Sequence, residues 1–386
     1  MTRHSIVRSL CRRARSDRDA ERGAMDVMMG GTEGSDTVAG VVLGVDTHLD
    51  LHVAVALDQL GRHLGELTVP TTAKGYQNLL CWAESFGPVR CAGVEGTGSY
   101  GAGLARHLRS AGIAVFEVER PKRRRLRRNG KSDSRDAQAA ARAALAGETA
   151  GEPKSADGRV EMIRVLRAAR HSAVKARSQA ANQLQAVLVT APETLRNRLR
   201  GLSIKELVAI AARFRPGSDL DDVQKATKFA LRSVARRYQR LSEEVAHLDE
   251  QLDRLVAEAA PELISLPAIG TDHAATLLIV AGDNPERLGS EASFASLCGV
   301  APIEASSGKI VRHRLNRGGD RDANRALHLI CVVRMARDRR TKRYVARRTA
   351  EGKSKREIMR CLKRYIAREV YRVLVSAVPP SPHGKL

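Results

Sequence analysis

Residues 41–58 read VVLGVDTHLDLHVAVALD, residues 92–100 read AGVEGTGSY, and residues 131–145 read KSDSRDAQAAARAAL. The first stretch holds two runs of strand type. Val41, Val42, Leu43 and Val45 make an apolar run that ends on Asp46, and His52 to Leu57 make a second one after a short turn. Val89 to Val94 is a third such run, broken only by Arg90, and it ends on Glu95. Short apolar runs rich in β-branched residues and bounded by turn signals read as strands. Asp133 and Asp136 open an Ala-rich helix three residues apart, so their carboxylates share one face.

Gathering four carboxylates is costly without a cation, because each disfavours ionisation of the others. A divalent metal relieves the cost. Mg²⁺ takes hard oxygen ligands in an octahedral shell. Two such ions about 3.5–4 Å apart activate a nucleophile and stabilise a leaving oxygen in phosphoryl transfer. Asp46, Glu95, Asp133 and Asp136 are therefore the candidate metal ligands, with Mg²⁺ expected and Mn²⁺ as its substitute. His48 and His52 sit near Asp46 at alternating strand positions and read as mainly structural. Asp50 and Asp58 read as turn or exposed residues. Glu117 and Glu119, on a later strand, are candidates only for a supporting role.

Working outward, a strand falls near Gly65 to Pro70 and a helix at about Lys74 to Ser85. Tyr100 to Ala111 has helical spacing through Leu104 and Leu108, and Ile113 to Val118 is a further strand. Three antiparallel strands followed by alternating helices and parallel strands is the order of a ribonuclease H-like sheet. The expected fold class is thus α/β + α: a ribonuclease H-like domain over 41–150, a helical coiled-coil region over 151–260, and a mainly α-helical domain over 261–376. Residues 1–40 read as a disordered basic arm, with Met25, Met28 and Met29 offering later starts, and 377–386 as a frayed tail.

The composition names a partner. Lys and Arg number 66 against 43 Asp and Glu among 386 residues, a formal net charge of +23. Such a balance points to a polyanion, nucleic acid first and an anionic membrane surface second. No apolar run approaches the ~18 residues of a transmembrane helix. Six scattered cysteines with no CxxC fit neither a zinc site nor a disulfide framework, and a cytoplasmic setting follows most simply. Residues 120–131, RPKRRRLRRNGK, hold eight Lys or Arg. The run is either a solvated loop or a phosphate grip leading into Asp133, through Lys122, Arg123, Arg124, Arg125, Arg127 and Arg128.

Residues 160–260 read as helical apart from 191–192 and 213–222. Leu231, Val234, Tyr238, Leu241, Val245, Leu248, Leu252 and Leu255 alternate spacings of three and four, a heptad seam. It serves either an intramolecular hairpin with the Ala-rich helix at 161–189 or self-association. Residues 263–283 read as helix, tight turn at Pro267 to Gly270, helix; the turn is either plain or a phosphate cradle. Phe294 to Cys298 is helical, Gly299 to Gly308 a loop, and Gly318-Gly319 a turn. Asp322 to Arg337 is a helix with apolar positions Ala326, Leu329, Ile330 and Val333. Ser354 to Ser376 is an amphipathic helix. Ser307, in its Gly-flanked loop, is by itself an ordinary turn residue. Its company of Lys309, Arg312, His313, Arg314 and Arg317 would hold a phosphate and ease serine deprotonation.

VDTHLDLHVAVALD, VEGTGSYG and KSDSRDA resemble the three motifs of the Asp-Glu-Asp-Asp transposases of the insertion-sequence-110 family. LPAIGTDHAATLLIVAGD and FASLCGVAPIEASSGKIVRHRLNRGGDRDANRALH resemble that family's second conserved domain. The resemblance covers about 41–150 and 260–375. It implies a RuvC-like catalytic domain with the tetrad Asp46, Glu95, Asp133 and Asp136. It also implies a catalytic serine at Ser307, with Ser306 as a neighbouring competitor. Further implications are donor and target DNA, a structured guide RNA, and a composite site shared between subunits of a homo-oligomer, dimer or tetramer, at the nucleoid. The family usually has Gly at the position of Ala268, and the long arm is extra. Two rival readings stand beside this one. A RuvC-like structure-specific nuclease would use water in place of serine. A nucleic-acid-binding protein without chemistry would need neither serine nor tetrad.

Overall fold

The computed structural model describes residues 40–118, 132–149, 151–308, 313–314 and 316–376. They fall into two compact units, one through Ala156 and one from Asp157. The basic arm apart from Gly40, and the tail from 377, lie outside the described residues.

In the first unit the chain runs β1 (Val41–Thr47), β2 (Leu51–Leu57), β3 (His63–Pro70), α1 (Ala73–Glu84), β4 (Val89–Glu95), α2 (Ala102–Ser110), β5 (Ala114–Val118) and α3 (Asp133–Leu145). The sheet order is β3-β2-β1-β4-β5. β2 pairs antiparallel with β1 and β3, while β4 pairs parallel with β1 and β5. This mixed sheet with its helices is consistent with the ribonuclease H-like arrangement expected. Asp58 holds the β2–β3 turn by accepting from the Leu60 and Arg62 backbone N–H groups at 2.9 and 2.8 Å.

Successive side chains of a strand point to opposite faces. Leu43 and Val45 of β1, with Ala92 and Val94 of β4, join Leu79, Ala83, Leu104 and Leu108 of α1 and α2 in one core. Val42, Gly44 and Asp46, with Gly93 and Glu95, fall on the other face, which α3 covers. That helix lies unusually close. A Cβ on Gly44 would stand 2.0 Å from the Ala137 carbonyl oxygen, and one on Gly93 would stand 2.4 Å from that of Ala140. Only glycine admits a helix backbone there. The helix answers with its own small side chains, Ala137, Ala140, Ala141 and Ala144, all buried.

The second unit is helical. α4 (Arg159–Val189) pairs with α7 (Val223–Ala259), and α5 (Glu193–Leu199) and α6 (Ile204–Ala211) lie between them in sequence. The pair is antiparallel, since Arg159 meets Glu258, Arg170 bonds Asp249 and Arg237 bonds Gln183. Leu231, Val245, Leu252 and Leu255 of the heptad seam are buried. One end of the pair packs Leu184 with Leu231 and Ala235, and the other packs Val160 and Ile163 with Leu252, Leu255 and Val256. The seam therefore meets the Ala-rich helix of its own chain. Asp283 caps α4, accepting from the Val160 and Glu161 backbone N–H groups at 2.7 and 3.1 Å.

The chain continues through α8 (Pro261–Ser265), α9 (Thr271–Ala281), α10 (Glu291–Leu297), β6 (Ile303–Glu304), β7 (His313–Arg314), α11 (Arg321–Arg337), α12 (Arg339–Ala350) and α13 (Lys355–Ser376). Three features differ from the sequence reading. The expected loop at Gly299 to Gly308 contains β6, because Ile303 and Glu304 pair with Arg314 and His313. On α11, Ala326 and Ile330 are buried as expected, but Leu329 and Val333 are 43% and 37% exposed. The buried stripe runs instead through Ala323, Leu327, Cys331 and Arg334, because α9 and α13 cover that side. Finally α12, RRTKRYVARRTA, has no apolar stripe to announce it and buries only Thr341. Among the described residues, no helix is long and apolar enough to cross a membrane.

Candidate functional site

The sheet register brings one group of candidate residues together. Val45 of β1 lies opposite Val94 of β4, so Asp46 and Glu95 follow at adjoining ends of parallel neighbours. Both are 4% exposed, and by alternation both face α3. Gly44 and Gly93 let α3 settle on this face, which brings its first turn, with Asp133 and Asp136, over the strand ends. His48 follows the end of β1. Its Nε2 lies 3.1 Å from Asp46 Oδ2 and 3.5 Å from Asp133 Oδ2. One ligand atom from each of Asp46, His48 and Asp133 lies within 4.8 Å of the others. Thr47 Oγ1 donates to the Glu95 carbonyl oxygen at 2.9 Å and ties the two strand ends together.

The electrostatics agree with the crowding. Burial pushes the Asp46 carboxyl up from its ordinary value; His48 opposes this, and the nearby Asp133 and Asp136 carboxylates add to it. The structure thus brings Asp46, Asp133 and Asp136 into mutual electrostatic range, with Glu95 buried at the next strand end. His48, expected as a structural residue, joins the cluster. Its signal was available, since Asp46 and His48 share strand parity and the turn begins at His48. His52 lies elsewhere. It is fully buried on the face of α1 and α2 and stacks on Tyr76 with ring centroids 5.7 Å apart. Asp50 is exposed. The Glu117 backbone N–H donates to the Gly151 carbonyl at 3.0 Å, and Glu119 lies outside the described residues.

Two carboxylate oxygens and one imidazole nitrogen, part buried at converging strand ends, make a donor set suited to a divalent cation. The carboxylates fit a hard ion such as Mg²⁺ or Mn²⁺. His48 either joins them as a ligand or holds Asp46 and Asp133 in place by hydrogen bonding.

A second group of candidate residues lies in the helical unit. The β6–β7 ribbon presents Ser306, Ser307 and Gly308 beyond β6, all exposed, with Gly308 at φ +55°. His313 and Arg314 of β7 are exposed beside a cavity of about 620 Å³, which Arg360, Lys363 and Arg364 of α13 also line. Asn324 anchors the segment leading into the ribbon, donating to the Cys298 and Gly299 carbonyls at 3.1 and 2.9 Å and accepting from Lys363 Nζ at 2.7 Å. Burial holds the Lys363 ammonium below its ordinary value. Arg317 is exposed. Lys309, Arg312 and the run Lys122, Arg123, Arg124, Arg125, Arg127 and Arg128 lie outside the described residues.

The turn expected at Pro267 to Gly270 is present between α8 and α9, and Ala268 adopts φ +63° there. Non-glycine residues rarely take this left-handed conformation.

Comparison with known proteins bears on both units. A family model described as a transposase, with the designations DEDD and IS110, matches residues 43–191. A second, described as transposases of the IS116/IS110/IS902 family, matches residues 260–346. The insertion element IS110 uncharacterized 43.6 kDa protein of Streptomyces coelicolor is 32% identical over 125 residues. That match covers 32% of this chain and 31% of the relative, so it spans about a third of the relative's length. Two successive matches, together reaching more than half of the residues and in the order of the two units, make this chain similar to the transposases of the IS110 family.

Proposed function

We propose that this chain is a DNA transposase that cuts and rejoins DNA strands at the ends of an insertion element. The observation that carries the proposal is the convergence of Asp46 and Glu95, at adjoining strand ends, with Asp133 and Asp136 of α3 on one face of the sheet. Asp46, Glu95, Asp133 and Asp136 would hold Mg²⁺, or Mn²⁺ in its place. When bound, the metal supplies charge neutralisation for a phosphodiester in the transition state.

In this reading Ser307 is the nucleophile. Its Oγ loses a proton and bonds to phosphorus, while the bond from phosphorus to one sugar oxygen breaks and that oxygen takes a proton. The reverse step on another strand end rejoins DNA without an external energy source. Arg314 and Arg317, with Lys309 and Arg312, bind the phosphate and favour the serine alkoxide. The run from Lys122 to Arg128 grips nucleic-acid backbone. Donor and target DNA are the substrates, a structured non-coding RNA is the guide, and a homo-oligomer of two or four chains is the working unit. The net charge of +23 supports a polyanionic partner, and the family similarity supports the choice of DNA.

The alternative is a metal-dependent nuclease of RuvC type, favoured by one observation: Asp46, His48 and Asp133 place their ligand atoms within 4.8 Å of one another without any help from the serine. Two variants decide between the readings. Asp133→Asn abolishes cleavage in either case. Ser307→Ala abolishes strand transfer if serine is the nucleophile and leaves hydrolytic cleavage intact if water is. Recombination by Asp133→Asn at the parental rate would overturn both.

A further inference from the structure

Helices α11, α12 and α13, with Pro267, line a half-open cavity of about 840 Å³. It lies in the helical unit, and none of the candidate site residues lines it. Its walls carry Arg334, Arg340, Arg343 and Arg372, with Tyr344 and Tyr365. Two acidic groups also face it, and both are engaged. Glu369 pairs with Arg334. Asp338 caps α12, accepting from the Thr341 backbone N–H and hydroxyl at 2.7 and 2.6 Å. Among the described residues, no ion pair engages Arg340, Arg343 or Arg372. The helix α12 itself has six Lys or Arg in its 12 residues and no acid.

Arg334 marks the cavity as a site with an unmet demand. It is 8% exposed. Its Nε donates to the Pro267 carbonyl at 2.8 Å and its Nη1 donates to Glu369. Its Nη2 is buried and has no hydrogen-bond partner among the described residues. A buried guanidinium N–H without an acceptor is costly, and a small shift of the Arg334 side chain would bring it to an anionic oxygen in the cavity.

The aromatic content narrows the class of anion. Aromatics make up only 3% of this chain, yet Tyr344 and Tyr365 meet edge to face here, with centroids 5.7 Å apart. Arg347 lies over the Tyr344 ring at 5.5 Å. Tyr365 is 50% exposed. Phosphate-binding cations interleaved with an exposed aromatic ring are the equipment for stacking bases of a single strand. The cavity falls in the ~300–1,000 Å³ range of small-molecule pockets. It suits one or two extruded nucleotides and is too small for a duplex.

We propose that this cavity binds an unpaired stretch of polynucleotide, with phosphates on Arg334, Arg340, Arg343 and Arg372 and a base against Tyr365. The inference rests only on the nucleic-acid part of the proposed function and asks nothing of the strand-transfer chemistry.

The test uses the full chain in metal-free buffer and fluorescence anisotropy with three labelled probes: a dT 12-mer, an rU 12-mer and a 12-bp duplex. Tyr365→Ala weakens the single strands about 5- to 150-fold, the range for loss of one stacked base, and leaves the duplex within twofold. Tyr365→Phe keeps the stacking face and stays near the parent on all probes. Arg343→Ala lowers the salt slope of log K for single strands by about 0.7. The dT and rU arms separate DNA from RNA as the natural source. Photocrosslinking with iodouracil in place of one base maps to the peptide that holds Tyr365. Equal weakening of all three probes, an unchanged single-strand affinity, or crosslinks confined to other segments would overturn the proposal. Asp133→Asn protein, dead for cleavage under the proposed function, still binds the single strands, so the two ideas fail separately.

Discussion

Asp46→Asn removes one charge from a buried strand end, and its effect on stability reverses with metal. Ligand atoms of Asp46 and Asp133 lie within 4.8 Å of each other. Two unit charges at that separation repel by about 3.5 kcal/mol at an effective dielectric near 20. The Asp133 side chain is 47% exposed, so solvent screening reduces the repulsion to about 1–2 kcal/mol. Burial of Asp46, the larger cause of its raised carboxyl, acts in the same direction. In EDTA near neutral pH the variant should therefore melt higher than the parent, by about 2–8 °C. The pH dependence has a definite sign. A carboxyl raised in the fold contributes stability below its unfolded value, near 3.8, and loses it as pH rises through the folded value. The advantage of Asp46→Asn should thus vanish at pH values below 3.8 and grow above it. Metal restores the parent: at a hundredfold excess over Kd, Mg²⁺ stabilises it by about 2.7 kcal/mol, while the variant gains little. Differential scanning calorimetry with and without Mg²⁺ reads all three effects. A variant that melts below the parent in EDTA at neutral pH, or that gains equally from Mg²⁺, would refute the crowded-carboxylate account.

The remaining predictions concern the parts that position or feed this site. Gly93→Ala puts a methyl 2.4 Å from the Ala140 carbonyl, so α3 must lift; we expect a loss of about 2–4 kcal/mol in urea denaturation, and a change under 0.5 kcal/mol would show that α3 does not rest on the sheet there. Ala268→Gly relieves the left-handed φ of +63° and should raise stability by about 0.5–1 kcal/mol, with Ala268→Val lowering it; a melting point that falls with Gly would show that the turn is unstrained. Replacing Arg123, Arg124 and Arg125 together by Ala should reduce the salt slope of duplex binding by about 2–3, measured by anisotropy across a salt series, whereas an unchanged slope would make the run a solvated loop.

Most of the first unit was legible because its signals are local. The apolar runs ending on Asp46 and Glu95 dictate strands, and their ends inherit the carboxylates. The separation of Asp46 and His52 onto opposite faces comes instead from the β1–β2 register, which sets His52 opposite Thr47. Nor does strand parity give the approach of α3. Gly44 and Gly93 take their meaning from the helix lying on them, which lets the first turn of α3 reach the strand ends. His48 read as structural although its parity with Asp46 was visible; only its approach to Asp133, 85 positions further along the chain, was not.

The helical unit was less legible. On α11 two apolar stripes compete, and Leu329 with Val333 lost to Leu327 with Cys331 because tertiary packing chose the side. The helix α12 carries charge on nearly every turn, so hydrophobic periodicity had nothing to detect. The β6–β7 ribbon is a ladder of two residues per strand, below the length at which alternation is readable. The heptad seam was legible as a seam, and its partner within the chain became visible only through contacts such as Arg170 with Asp249.

The central claim is that a serine of this chain becomes joined to DNA in a step that needs the acidic cluster. The most direct measurement is to trap the protein–DNA adduct on a suicide substrate in Mg²⁺, digest it, and map the modified residue by mass spectrometry. The account predicts an adduct on Ser307 that disappears in both Asp133→Asn and Ser307→Ala. Cleaved DNA ends with no adduct on any residue would contradict it.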